Sequence, residues 1–333
     1  MSLLLAPSTP STLSVRILQI FQSSDMDSFF IASNLSLIQL FIIIILLIVW
    51  IFFEKIIKLK FFYIFFIKIT SFKSEFLKIA ILCFSVILFL LSFMGIICSI
   101  LWGFSENWYF PNFFPNDLNI DNFLSFYYQN KSLILISIFI PLMVSLLSIS
   151  LTIMWVELLD YLNITKTQFE WIIFTPLFIP QISFLIGIQS FIIFFNYNTF
   201  IIPLIFVQLF YVIPYCFIIL APALREVKSD YIKVASSLGK NRIGRLFKIK
   251  IPLVLPSLMT SFAIGMIVSF ALYVPVYFIG AGRVTTLTVE ALNLALSGSK
   301  QDLGIATFFQ ILFPILLLLT IALINRKTIK WQI

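Results

Sequence analysis

Histidine is absent from the 333 residues, which removes the commonest general base and the commonest metal ligand. The cysteines Cys83, Cys98 and Cys216 lie far apart, each inside an apolar run. Packing, rather than disulfide or metal chemistry, is their expected role. No G-x-x-x-x-G-K-[ST] phosphate loop occurs, so any ATP-driven step belongs to another subunit. No carboxylate pair or metal-type cluster adjoins an apolar span, which leaves hydrolysis and group transfer without an acid, a base or a metal. The polar groups that remain inside apolar sequence are uncharged. Gln208, Tyr211 and Tyr215 share one helical face, and Ser269, Tyr273 and Tyr277 recur at four-residue steps. Polar faces in lipid turn inward, toward a neighbouring helix or toward a cavity, and both readings stay open here. Tyrosine faces on a path would suit a cationic solute through cation–π attraction. Gln181 and Gln189 fall on other faces and read as packing.

The second chemical feature is a basic segment, REVKSDYIKVASSLGKNRIGRLFKIKIP, at 225–252. Val227, Tyr231, Val234 or Ala235, and Leu238 recur at helical spacing and form one apolar stripe. Gly239 suits the position just past a helix end, where a positive φ is needed and a Cβ is costly. Asn241 suits the cap of a second short helix, and Pro252 is expected to stop its continuation. The result is a helix–turn–helix. A short loop with an apolar stripe has no core of its own, so it implies a partner to pack against. Gly239 permits the tight turn, and Ala235 with Ser236 would keep one face thin enough to enter a groove. Lys240, Arg242, Arg245, Lys248 and Lys250 read as orientation and headgroup contacts.

The elements that position these groups are membrane spans. The chain is 61% hydrophobic and 11% charged, far from the composition of a soluble domain. Seven segments, near 35–53, 79–102, 132–156, 171–195, 199–222, 256–279 and 305–325, reach the roughly 20 apolar residues that cross a bilayer core. None of them contains Asp, Glu, Lys or Arg. If 54–78 is cytoplasmic, alternation puts 157–170, 223–255 and 326–333 on the same side. That side then holds 18 of the 22 basic residues, leaving only Arg16, Lys131, Arg283 and Lys300 outside. The bias predicts an external N-terminus and an internal C-terminus. The net charge of +8 is thus a topology signal rather than a nucleic-acid footprint. The expected fold class is an all-α polytopic membrane protein.

Met1–Ile20 lacks a basic start and an uninterrupted apolar run, so it does not read as a signal peptide. An internal repeat accounts for an external N-terminus. Ser11-Thr12-Leu13-Ser14-Val15 aligns with Thr285-Thr286-Leu287-Thr288-Val289, and the match continues without a gap through Leu18 with Leu292 to Ile31-Ala32 with Ile305-Ala306. In each copy a hydroxyl-rich external segment leads into a span, as in transporters built from repeated units. Residues 1–53 are therefore expected to be the tail of a preceding unit. Residues 54–78 read as a basic interfacial linker lying in the membrane plane. Residues 79–325 read as a six-helix unit carrying the loop 223–255, and 326–333 as a cytoplasmic tail.

The loop resembles one found in the permease subunits of binding-protein-dependent ABC importers, whose motif runs E-A-A, three residues, G, nine residues, I-x-L-P. Here the sequence reads Lys233-Val234-Ala235, Ser236-Ser237-Leu238, Gly239, nine residues, Ile249-Lys250-Ile251-Pro252. The spacing is kept, and Ala235, Gly239, Ile249 and Pro252 match, whereas Lys233, Val234 and Ile251 depart from the pattern. The tandem arrangement resembles the fused permeases of thiamine and iron(III) importers, and 285–304 looks most like the thiamine type. The resemblance implies a conduit in the bacterial inner membrane that binds no cofactor itself. It also implies a cytoplasmic ATPase dimer that uses ATP, a periplasmic or lipid-anchored solute-binding protein, a second permease unit and surrounding lipid. An ion-coupled secondary transporter is the first rival; it usually needs an ionisable group at mid-membrane, which these spans lack. A membrane enzyme lacks its acid, base or metal. Chemistry alone does not separate a channel subunit from a permease, but co-purification with an ATPase does.

Overall fold

The computed structural model describes residues 11–21, 26–58, 75–106, 108, 112–115, 117–162, 170–194 and 200–330. Among these the structure is helical apart from one isolated bridge, Ser105 with Leu118. Five helices are long and apolar enough to cross a membrane, or up to seven if two sharply bent pairs each count as one span. The expected all-α polytopic class therefore holds.

The centre is built from α5 (Lys131–Tyr161), α8 (Ile201–Arg225) and α11 (Leu255–Ala271), which pack on one another. Small residues let them approach. A Cβ added at Gly265 of α11 would meet Cys216 Sγ of α8 at 2.9 Å and Ser145 Cβ of α5 at 3.2 Å. Ser261 Oγ donates to the Cys216 carbonyl at 3.3 Å. Lipid offers helices no hydrophobic drive to associate, so close packing and such bonds supply the adhesion. Cys216 thus has the packing role its apolar surroundings implied.

Outside this centre, α3 (Glu75–Phe104) pairs with α14 (Lys300–Lys330). A Cβ at Gly304 would lie 2.3 Å from the Gly103 backbone nitrogen, so only glycine allows this crossing. Helix α4 (Asp121–Gln129) leads into α5. At the other flank, the short α1 (Leu13–Phe21) folds back on α2 (Met26–Lys58). Gln39 Nε2 donates to Ser14 Oγ at 2.8 Å within this pair, and Ser183 Oγ donates to the Ser36 carbonyl at 3.0 Å to join α2 to the main body.

Two of the expected spans are broken. The segment 171–195 is α6 (Trp171–Phe178) and α7 (Gln181–Phe194), bent by 100°. Ile179 is extended at the break, as the residue before a proline should be; Pro180 follows. The segment 256–279 is α11 followed by α12 (Val274–Gly280), with Leu272 extended between them. Ser269, Tyr273 and Tyr277 therefore do not share one helix, contrary to the four-residue spacing. A final short helix, α13 (Leu287–Ser297), precedes α14 just as α1 precedes α2. The interfacial linker expected at 54–78 lies largely outside the described residues; its start, to Lys58, continues α2, and its end, from Glu75, begins α3.

Candidate functional site: the loop between α8 and α11

Leaving α8, the chain forms α9 (Ser229–Ser237), a tight turn, and α10 (Arg242–Leu253). Gly239 has φ +74° with open space where a Cβ would lie, so its requirement is conformational rather than steric. The Lys240 N–H donates to the Ala235 carbonyl and the Gly239 N–H to the Ser236 carbonyl, both at 3.0 Å. These two bonds define a Schellman closure. Asn241 Oδ1 then accepts from the Gly244 N–H at 2.8 Å and caps α10, which satisfies one of the free donors at its start. The turn is thus held at both ends.

Pro252 does not stop α10, as the sequence suggested. A π turn at Leu246–Lys250 precedes it, with the Ile251 N–H bonded to the Leu246 carbonyl. The helix then runs one residue past the proline, to Leu253, with Val254 as its cap. There the axis bends by 80° into α11, whose first turn contains Pro256. Ile249 is half-buried and Pro252 exposed.

The faces of α9 also differ from the expected stripe. Ala235 is 3% exposed and turns into the protein, so it does not thin an outer face. Tyr231, Val234 and Leu238 point outward, Leu238 at 73% exposure, and Ile243 of α10 is exposed beside them in sequence. Lys233, which stands where the importer motif has Glu, is exposed and lies 3.8 Å from Asp230 Oδ1. Ser236 Oγ donates to the Ile232 carbonyl at 2.8 Å and accepts from the Arg245 guanidinium.

The residues that hold this loop to the spans were not foreseen. The Lys250 side chain is only 8% exposed, and its Nζ pairs with Glu157 and, at 3.1 Å, with Asp160 Oδ2. Arg242 donates to the Glu157 carbonyl, keeps Nε 3.7 Å from Glu157 Oε2, and lies 4.7 Å over the Tyr161 ring. Arg242 and Lys250 are therefore tethers to the end of α5 rather than headgroup contacts. Two carboxylates also sit directly at the end of a span, where none was expected. An ammonium this enclosed is stable only when paired, and removing its partner would leave an uncompensated charge. Glu157 and Asp160 lie three apart, hence on one helix face; that spacing was the available signal. Nearby, Arg225 pairs with Glu170, tying the end of α8 to the segment before α6.

The candidate path residues separate. Gln208 and Ser269 are buried and face each other, with Ser269 Oγ donating to Gln208 Oε1 at 2.5 Å. Tyr211 is buried with its ring edge-on to Phe184, whereas Tyr215 is exposed. Tyr273 and Tyr277 are half-buried on either side of the start of α12. Tyr277 lines a cavity of about 360 Å³ with Phe21, Gln189, Thr285 and Asn293. The start of α13 is fixed by its first N–H, Leu287, donating to Ser137 Oγ at 2.8 Å. Among the described residues no group of His, Cys, Asp and Glu is arranged to hold a metal ion.

Residues 132–327, from α5 through most of α14, match the sequence model of the binding-protein-dependent transport system inner membrane component. The chain is also 27% identical over 197 residues to the inner membrane ABC transporter permease protein YnjC of Escherichia coli (strain K12). That alignment covers 59% of this chain and spans 37% of the length of the relative. The family match covers more than half of the chain, and it is a family of transport permeases rather than enzymes. The chain belongs to the binding-protein-dependent transport system inner membrane component family.

Proposed function

We propose that residues 79–325 form one permease unit of an ABC importer, and that a separate cytoplasmic ATPase docks on α9. The observation that carries this reading is the outward face of Tyr231, Val234 and Leu238 on a helix capped by the Gly239 turn. An exposed apolar face on so short a helix gains by being covered. The turn and the Lys250 tether make the loop stiff enough to pass a displacement to α5 and α11. In this mechanism, ATP binding closes two ATPase subunits, each drags a docked loop, and the attached spans tilt from outward to inward access. The loop side is cytoplasmic by the excess of basic residues, which sets the N-terminus outside and the C-terminus inside.

A dimeric ATPase needs two docking loops, so a second permease unit, from another chain or another copy, supplies the other. A solute-binding protein, periplasmic or lipid-anchored, delivers solute on the far side. Support for residues 1–53 as the tail of a preceding unit is the matching order of α1–α2 and α13–α14, a short helix before a long span. The proposed solute is small and cationic, of the thiamine type. Tyr277 is the path residue best situated to meet it, lining the cavity near Gln189.

The test is purification of the tagged chain from its native membranes with Mg-ATP hydrolysis measured in the eluate. Val234→Glu should remove that activity, because a carboxylate buried without a partner in the docked face costs several kcal/mol. Lys240→Gln should retain it, since an exposed charge contributes about 1 kcal/mol or less. Equal retention in both variants overturns docking through α9.

A further inference from the structure

We infer that the chain carries a binding site for one anionic phospholipid, seated between α5, α6, α8 and α10. Two cavities meet there. The first, about 660 Å³, is lined almost wholly by apolar side chains, among them Leu151, Met154, Leu158, Ile172, Ile213 and Phe217. The second, about 500 Å³, is lined by Glu157, Asp160, Ile232, Arg242, Arg245 and Lys250. Glu157, Tyr161, Arg242 and Leu246 border both. The joined space has an apolar body and a charged mouth, which is the shape of an acyl chain with its headgroup. Basic pockets between spans at a membrane surface are where anionic headgroups bind.

The charges at the mouth give the sign of the occupant. Glu157 and Asp160 are neutralised by Lys250 and Arg242. Arg245 is the cation left over: its guanidinium bonds the Ser236 hydroxyl, and no carboxylate pairs with it among the described residues. A free soluble anion would leave the apolar body uncovered, and a zwitterionic lipid would bring a cation of its own to a mouth where three basic side chains already face two carboxylates. An anionic phospholipid satisfies both halves. Because α10 forms one wall, the bound lipid would brace the loop against α5. The site depends on the cavity alone and does not require the ATPase assignment.

The test uses the full chain purified in detergent, delipidated, and titrated with dioleoyl phosphatidylglycerol or dioleoyl phosphatidylcholine, with bound lipid counted by native mass spectrometry. Phosphatidylglycerol should bind about fivefold more tightly, as expected for one unpaired basic residue near the surface. Arg245→Gln, a change at a partly exposed side chain, should abolish that preference. Leu158→Trp, which fills the apolar body, should weaken both lipids. A soluble control, inorganic phosphate, should not compete with phosphatidylglycerol at equimolar concentration. Equal affinity for the two lipids overturns the inference, as does a preference that survives Arg245→Gln, lipid binding unaffected by Leu158→Trp, or displacement by phosphate.

Discussion

Replacing Lys250 by Met tests the tether that fixes the loop to α5. The substitution keeps an unbranched side chain one atom shorter and removes its charge, leaving Glu157 and Asp160 without their shared ammonium. Breaking a buried pair by deleting one partner costs about 3–5 kcal/mol. Glu157 keeps Arg242 at 3.7 Å and Asp160 is half exposed on its side chain, so the lower end, about 3 kcal/mol, applies. That loss falls on local opening of α10 rather than on the spans, whose packing at Ser145, Cys216 and Gly265 is untouched. A change of about 3 kcal/mol raises the open population by about a hundredfold. Hydrogen exchange in detergent reads it directly: amides of 242–254, including the Val254 N–H bonded to the Lys250 carbonyl at 3.0 Å, should exchange about a hundredfold faster. Amides near the middle of α11 should not change. Glu157→Gln should produce much the same effect. The double variant should cost little more than either single one, because both delete the same interaction. Unchanged exchange across 242–254 in Lys250→Met, or full additivity in the double variant, would refute the reasoning.

Other substitutions probe the remaining parts of the account. Gly239→Val puts a β-branched residue at φ +74° and should cost at least about 1–2 kcal/mol, read as faster exchange at the Lys240 amide; Gly239→Asn should recover most of it. Gly304→Ala forces a Cβ onto the Gly103 backbone at 2.3 Å and should lower the thermal midpoint sharply, whereas Gly95→Ala, with open space at its Cβ, should leave it unchanged. Gln208→Leu removes the bond to Ser269 and should cost only about 0.6 kcal/mol, typical of a hydrogen bond between membrane helices, measured as a small fall in thermal midpoint.

The sequence was most readable where one residue dictates its own backbone. Gly239 and Asn241 each announced a local conformation, and each is found in it. The apolar runs announced the helices, because lipid leaves a backbone no alternative partner. What escaped was set by contacts between distant segments. Lys250 and Glu157 are 93 residues apart, and a count of basic residues treats Lys250 as one more topology charge. Val234 and Ala235 occupy adjacent positions on one helix, and periodicity alone did not decide which turns inward. Pro252 was expected to stop α10 outright, but the helix runs one residue past it behind a π turn at Leu246–Lys250. The tyrosine series through Ser269 assumed an unbroken helix, and the extended Leu272 ends it three residues later.

The central claim, that this permease couples to an ATPase through the outward face of α9, is tested most directly by photo-crosslinking. A benzophenone amino acid placed at Leu238, or at Val234 on the same face, should form an adduct with the ATPase subunit in native membranes on illumination. The same probe at Phe113, which is fully exposed beyond the opposite ends of α3 and α5, should form none. Adducts at Leu238 and Val234 alone are the predicted result. An ATPase that co-purifies yet gives no adduct from either position would contradict the account.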